Sequence, residues 1–232
     1  MLRPIKLLRS LPSCRLRFLT ALFMMCRSVA VLGAANPQIT VGAGIGQSTQ
    51  EAGDSDQPYL GPGFGGTSVA SVVFVDAAIT STISLGGEVS LAGDITGTQY
   101  ERGTGGGYTL LSQHHDTVFS GVVKLRTPPP NRFQVAAGAG LGLARRETNR
   151  TGTFVSDTPP FVSTPVVESL SDSVLAFTGG LEAIIPIGHR LGILALVRAH
   201  YLVDNDRSRD GLVHRGVSSQ IFRYGIGAQV RF

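Results

Sequence analysis

Ile221-Phe222-Arg223-Tyr224-Gly225-Ile226-Gly227-Ala228-Gln229-Val230-Arg231-Phe232 ends the chain, and apolar residues recur at every second position of it. Phe222, Tyr224, Ile226, Ala228, Val230 and Phe232 fall on one side, Arg223, Gly225, Gly227, Gln229 and Arg231 on the other, with Ile221 the one large apolar residue among the latter. A period of two is the signature of a β-strand. One face suits an apolar medium, while the arginine-bearing face must meet water or other polar groups. An alternating strand with an aromatic last residue fits a barrel closed in lipid better than a soluble core.

The same alternation recurs upstream. Ile39 to Ile45, Ile83 to Leu91, Phe119 to Arg126, Phe133 to Leu143, Leu175 to Ile185 and Leu191 to Tyr201 all read as strands. Val69 to Ala78 is a β-rich run whose facing is ambiguous. With the terminal strand the count is eight, and no segment of useful length has helical period. The connections alternate in length. Ser48 to Gly66, Gly93 to His115, Glu147 to Asp172 and Val203 to Gly216 are extended; Ile79 to Thr82, Thr127 to Asn131 and Pro186 to His189 are short. That order is expected of a barrel with short periplasmic turns and long extracellular loops. The expectation is therefore an all-β, eight-stranded antiparallel up-and-down transmembrane barrel over residues 36–232.

Residues 1–35 read as a secretory signal peptide. Arg3, Lys6, Arg9, Arg15 and Arg17 precede the apolar runs Phe18 to Met25 and Val29 to Leu32, and Gly33 and Ala35 supply small residues for cleavage. The apolar run is too short and broken, by Arg27, for an anchor helix of about 20 residues. A lipid anchor on Cys26 is disfavoured because Met24 and Met25 stand where small residues belong. This segment holds six of the 20 Lys and Arg and none of the 16 Asp and Glu, which leaves 14 against 16, a net charge of −2. The basic balance of the whole chain therefore says nothing about nucleic acid. Cys14 and Cys26 also lie in the leader, so the mature chain needs no disulfide and has no cysteine ligand.

Eight strands enclose an interior just wide enough for side chains. Gly42, Gly44, Gly46, Gly138, Gly140, Gly142, Gly225 and Gly227 fall on the faces assigned inward, making room for larger polar groups. Candidates are Glu88, Glu182, Lys124, Arg126, Arg198, Arg223 and Arg231. Because buried charges must be paired and hydrogen-bonded, an internal ionic network is expected, with Glu88 and Glu182 against Arg198 and Arg223. A polar core that holds the barrel together is the main reading, and a conducting or gated path the second.

Other motifs carry less. The glycines of Gly42-Ala43-Gly44-Ile45-Gly46 lie within a strand, where a phosphate loop needs a strand-to-helix turn. Asp204, Asp206, Ser208 and Asp210 have calcium-loop spacing, but Arg207 and Arg209 intrude and no glutamate closes the set. His114, His115 and Asp116 read as a loop edge in solvent, since adjacent strand residues point apart. Arg145, Arg146 and Arg150 read as solvated loop charge able to meet lipopolysaccharide phosphates. No catalytic residue, metal site or cofactor is expected.

Taken together, the leader, strand number, loop alternation and ending resemble the small eight-stranded bacterial outer-membrane barrels of the outer-membrane protein A and opacity type, over nearly all of Asn36 to Phe232. The resemblance implies that Tyr224, Ile226, Ala228, Val230 and Phe232 form the C-terminal signal read by the barrel-assembly machinery. It implies an outer-membrane location among lipids and lipopolysaccharide, and a structural or surface-contact role without enzymatic activity. A narrow porin-like pore is the alternative. Lipid A deacylases of similar size place histidine and serine on one strand face, whereas Leu202 stands two residues after His200. A secreted soluble barrel with an apolar ligand is the remaining reading. No peptidoglycan-binding domain follows Phe232, so the anchoring form of the family is not expected.

Overall fold

A computed structural model describes residues 38–52, 65–103, 105–127, 133–203 and 217–232. The leader, most of the first connection, the prolines of Thr127 to Asn131 and the Asp204 to Asp210 segment lie outside the described residues. Among the described residues nine strand segments occur: β1 (Ile39–Ala52), β2 (Gly66–Ala78), β3 (Ile83–Ala92), β4 (Ile95–Gly103), β5 (Gly106–Arg126), β6 (Gln134–Ser156), β7 (Ser163–Ile187), β8 (Leu191–Leu202) and β9 (Val217–Arg231). Neighbours in the chain other than β3 and β4 pair antiparallel, β1 pairs with β9, and β3 pairs with β5. The sheet is thereby a closed ring.

The ring has eight positions because β3 and β4 are one strand with a kink. Both lie against β5: Leu91 stands opposite Thr117, and Ile95 opposite His114. Four steps on one side match three on the other, which is a bulge at Gly93-Asp94. Its effect is to move the inward face from even positions in β3 to odd ones in β4, so that Glu88 and Gln99 both point inside.

Two expected loops are instead strand. Gly93 to His115 contains β4 and the start of β5, and Glu147 to Asp172 is mostly the continuation of β6 and β7, joined through Asp157 to Val162. Pairing runs without a break from Gln134 opposite Ile184 to Val155 opposite Ser163. Thr, Val and Phe favour the pleated conformation here, but both faces are polar, so hydropathy alone does not reveal them. The short turns stay short. In one, the Ile83 amide donates to Thr80 Oγ1 at 2.9 Å; in the other Gly188 takes φ +79°, a conformation that glycine adopts without strain.

The outward face divides sharply. Leu141 and Leu143 on β6, Leu175 and Phe177 on β7, Phe119 and Val123 on β5, and Ile226 on β9 are all exposed, Ile226 at 68 %. Above them, on the same face, come Arg145, Glu147 and Asn149, then Ser173 and Ser171, then Thr117 and His115. An uncharged band of this kind, ringed by polar residues, is the surface a bilayer covers. Crossing needs about 9–11 tilted residues, whereas β6 has 23 and β7 has 25. The excess rises out of the lipid as a sheet of four strands, β4, β5, β6 and β7.

The inward face carries all eight glycines named above. Gly42, Gly44 and Gly46 pair with Phe74, Val72 and Ala70 on β2, and Gly227 and Gly225 sit opposite Gly44 and Gly46 across the β1–β9 seam. A Cβ on Gly42 would overlap the Phe74 ring, and one on Gly44 would meet Leu196. Glycine at these points is space for a neighbour's side chain.

Leu141→Arg puts a charge at mid-band and is expected to destabilise the barrel by about 2–4 kcal/mol. Thr151→Arg, on the same strand and face but above the band, is expected to be neutral. Urea unfolding in lipid vesicles measures both, and equal effects would contradict the assigned lipid boundary.

Candidate functional site

Six charged side chains meet inside the lower half of the barrel, each delivered by the inward register of a different or adjacent strand position. They are Asp76 from β2, Glu88 from β3, Lys124 and Arg126 from β5, Glu182 from β7 and Arg198 from β8. Arg198 Nε donates to both Glu88 oxygens, at 2.8 and 3.0 Å, and its terminal nitrogen donates to Glu182 at 2.5 Å. Lys124 Nζ bridges Glu182 at 2.6 Å and Asp76 at 2.9 Å. Arg126 completes the chain on Asp76 at 2.5 Å. Three cations therefore face three carboxylates, all but Arg126 at most 3 % exposed in their side chains. Lys124 also sits 4.0 Å above the Phe74 ring, a contact that favours a desolvated ammonium.

Glu88, Glu182 and Arg198 are thus brought together, and Arg223 is not joined to either glutamate by a hydrogen bond. It lies nearer the upper end, donating to Ser48 at 3.3 Å, to Ser90 at 2.5 Å and to the Asp116 carbonyl at 3.0 Å. Arg223 stands opposite Arg198 across β8 and β9, and like charge turns the two guanidinium groups toward different acceptors. Arg231 reaches Gln134 at 3.2 Å near the lower rim. Asp76 is the partner that the sequence left unnamed, because the run Val69 to Ala78 is apolar on both faces and hides its inward register.

Above this cluster the lumen changes character. Ser120, Thr178 and His200 form a hydrogen-bonded row, 2.7 Å between the hydroxyls and 3.0 Å to His200 Nδ1. Val118, Ala144, Val174, Ala176, Leu202 and Ile221 then make an apolar layer. Higher still, His114 Nε2 lies 3.0 Å from Asp116 and its Nδ1 lies 2.7 Å from Thr148.

Two sequence expectations are overturned here. His114 and Asp116 are not a solvent loop edge; they point inward from β5 and are 0 % and 2 % exposed. Only His115 faces out, between Asp94 at 3.2 Å and Glu147 at 3.3 Å. Likewise Arg146 and Arg150 are buried in the lumen, at 0 % and 2 %, while Arg145 stays outside on Glu147 at 2.6 Å. The cause is the same in both cases: the strands continue past the lipid, so alternation persists where a loop was expected. His200 is 2 % exposed on the lumen side, whereas chemistry on a membrane lipid needs its groups on the outer face.

The terminal strand is held on both edges. β9 pairs with β1 from Thr40–Arg231 upward and with β8 from Leu191–Val230, and the Phe232 amide donates to Ile39 at 2.8 Å. Tyr224, Ile226, Ala228 and Phe232 are exposed on the outside, Val230 partly so, with the Tyr224 hydroxyl bonded to Gln47.

No protein-family model matches the sequence, and no curated protein does. Solved structures do. The outer-membrane protein OprG of Pseudomonas aeruginosa superposes with a TM-score of 0.51 at 11 % identity, over 84 % of this chain and 96 % of that one. The attachment invasion locus protein Ail of Yersinia pestis gives 0.48 at 13 %, over 85 % and 99 %. Neisserial surface protein A gives 0.46 at 11 %, over 84 % and 97 %. At such identity the likeness is one of fold: the chain has the architecture of the small eight-stranded outer-membrane barrels.

Removing one member of the ionic cluster strands its partners in the interior. Glu182→Gln and Arg198→Met are each expected to cost about 3–5 kcal/mol, and the double variant well under their sum. A double-mutant cycle by urea unfolding in vesicles measures this, and additive losses would show that the pair is not coupled.

Proposed function

We propose that this chain is an integral, non-enzymatic protein of the bacterial outer membrane whose closed lumen is structural and whose protruding sheet makes contacts at the cell surface. In this reading residues 1–35 are a cleaved export signal, and the outward face of β9, from Tyr224 to Phe232, is the signal that the assembly machinery engages. Membrane lipids and lipopolysaccharide surround the apolar band. The observation that carries the reading is the break on the outer face at Arg145 and Ser173, beyond which β4 to β7 continue as paired strands outside the lipid.

That sheet has contact chemistry. Among the described residues β8 meets β7 only from Ala176 onward, so Ser163 to Val174 keeps one edge without a strand partner. Tyr100, Leu111, Val167 and Phe161 are exposed on it, Val167 at 79 %. Monomeric proteins seldom leave such an edge long and uncovered without a use. The lower lumen supports a structural role, because its three cations and three carboxylates are bonded to one another and Gly42, Gly44 and Gly180 lie under neighbouring side chains.

Replacing residues 147–172 with a short turn is expected to leave the barrel in the outer-membrane fraction with heat-dependent gel mobility, and to abolish adhesion of expressing bacteria to cultured cell layers. Adhesion unchanged by the deletion would refute the contact role. Planar-bilayer recordings are expected to show no unitary conductance; steps that Arg198→Met alters would favour a pore. Deleting Phe232 is expected to block insertion while sparing export.

A further inference from the structure

Above the lipid band the outward face of β4 to β7 is bounded by charge and free of it in between. At the lower boundary His115 lies between Asp94 at 3.2 Å and Glu147 at 3.3 Å, and Arg145 is paired with Glu147. At the upper one Arg102 stands 3.6 Å from Asp157. Register sets three rows between these limits. Thr98, Leu111, Thr151 and Val167 are in line across the four strands, and Tyr100, Thr109, Thr153 and Pro165 form the row above them. The row below, from Thr96 through Gln113 and Asn149 to Ser169, carries only hydroxyl and amide groups. Every one of these residues is exposed.

A surface bathed in water carries a charge at about one position in four, and here no position is charged. Two strands repeat one tripeptide, Thr96-Gly97-Thr98 on β4 and Thr151-Gly152-Thr153 on β6, which sets both threonines outward and the glycine inward. Hydroxyl and amide groups supply donors and acceptors, and the Tyr100 ring with Leu111 and Val167 supplies apolar contact among them. Sugar rings need both, for their hydroxyls and for their C–H faces. Phosphate or sulfate would need cations, and Arg145 and Arg102, which flank the patch, already face carboxylates. With neighbouring strands about 4.8 Å apart and alternate residues about 6.8 Å apart, the rows cover about 200 Å². A protein partner covers about 800 Å² on each side.

We propose that this patch docks the uncharged sugars of the surrounding lipopolysaccharide, with the Tyr100 ring and the Leu111 and Val167 side chains against sugar C–H faces and the threonines bonded to sugar hydroxyls. Position decides the source. On β6 the outward residues pass from Leu143 through Arg145 to Thr151 without a change of face, so the patch looks sideways over the membrane, where the sugar of neighbouring lipids stands. The charged row of Asp94, His115, Arg145 and Glu147 is the level at which lipid gives way to that sugar. The site rests on the lipopolysaccharide setting proposed above and is separate from adhesion to other cells.

The test uses the full mature barrel in vesicles containing lipopolysaccharide, either with its complete sugar chain or truncated after the phosphorylated inner core. The midpoint of the heat-dependent gel shift is expected to be about 2–4 °C higher with the complete chain. Added salt, which screens ionic contacts only, is expected to leave that difference unchanged. Thr151→Arg and Tyr100→Ala are each expected to remove the difference while keeping the midpoint in truncated lipopolysaccharide, and Glu51→Arg, exposed near the end of β1, to keep both. Equal midpoints in the two membranes, or a difference that survives either variant, would overturn the proposal. So would a gain abolished by salt, the mark of a phosphate contact, or an equal gain from free dextran over truncated lipopolysaccharide, which would place the ligand outside the membrane. Loss of adhesion on removing residues 147–172, together with equal midpoints here, would leave the contact role standing and this site refuted.

Discussion

The seam between β1 and β9 is the contact on which everything else rests. A strand in lipid has no water to satisfy its amides and carbonyls, so a sheet that crosses a bilayer must have no edge there. Register from Thr40–Arg231 to Gln50–Ile221 joins the first strand to the last and removes that edge. The aromatic and aliphatic residues on the outside of β9 are useful only once this seam exists, since before closure the same strand would expose a row of unpaired polar groups.

Closure at eight strands sets a second constraint, a narrow interior. The chain meets it by placing small and large residues on different walls. Gly42, Gly44, Gly225 and Gly227 line the seam, and Gly138, Gly140 and Gly142 line β6, half the ring away. Phe74, Lys124, Leu196 and Arg198 arise from the walls between and extend over them, as the overlaps that a Cβ would create at Gly42, Gly44 and Gly180 show. Polar groups drawn into so tight a space lose their water, and mutual pairing is what replaces it. The ion pairs of Arg198 and Lys124 follow from the glycine pattern as much as from the charges.

Legibility in the sequence tracked how different the two faces of each strand are. Within the lipid band one face is apolar, and β1, β5, β6, β8 and β9 could be located there from period alone. Above the band Arg145, Arg146, Glu147, Thr148, Asn149 and Arg150 are polar in succession, and the contrast that marks a strand vanishes although the strand does not. His114, Asp116 and Arg146 were misplaced for that reason. β2 fails in the opposite sense: Val72, Val73, Phe74 and Val75 are apolar on both faces, which concealed Asp76. Ion-pair partners also depend on register around the ring, and no local pattern fixes it. That is why Glu88, Glu182 and Arg198 were recognisable as a group while the acceptors of Arg223, namely Ser48, Ser90 and the Asp116 carbonyl, were not.

The requirement for closure extends only as far as the lipid does. Beyond the lipid, water can bond the amides and carbonyls of a strand edge, and among the described residues β8 follows β7 only as far as Leu202 opposite Ala176. Among the described residues, β4, β5, β6 and β7 continue as paired strands past that level. Arg146, Arg223 and Asp116 are packed together at this level, 0–2 % exposed, with Asp116 3.4 Å from the Arg146 Nε. A lumen inside the lipid has to balance its charges from its own side chains, as the lower cluster does.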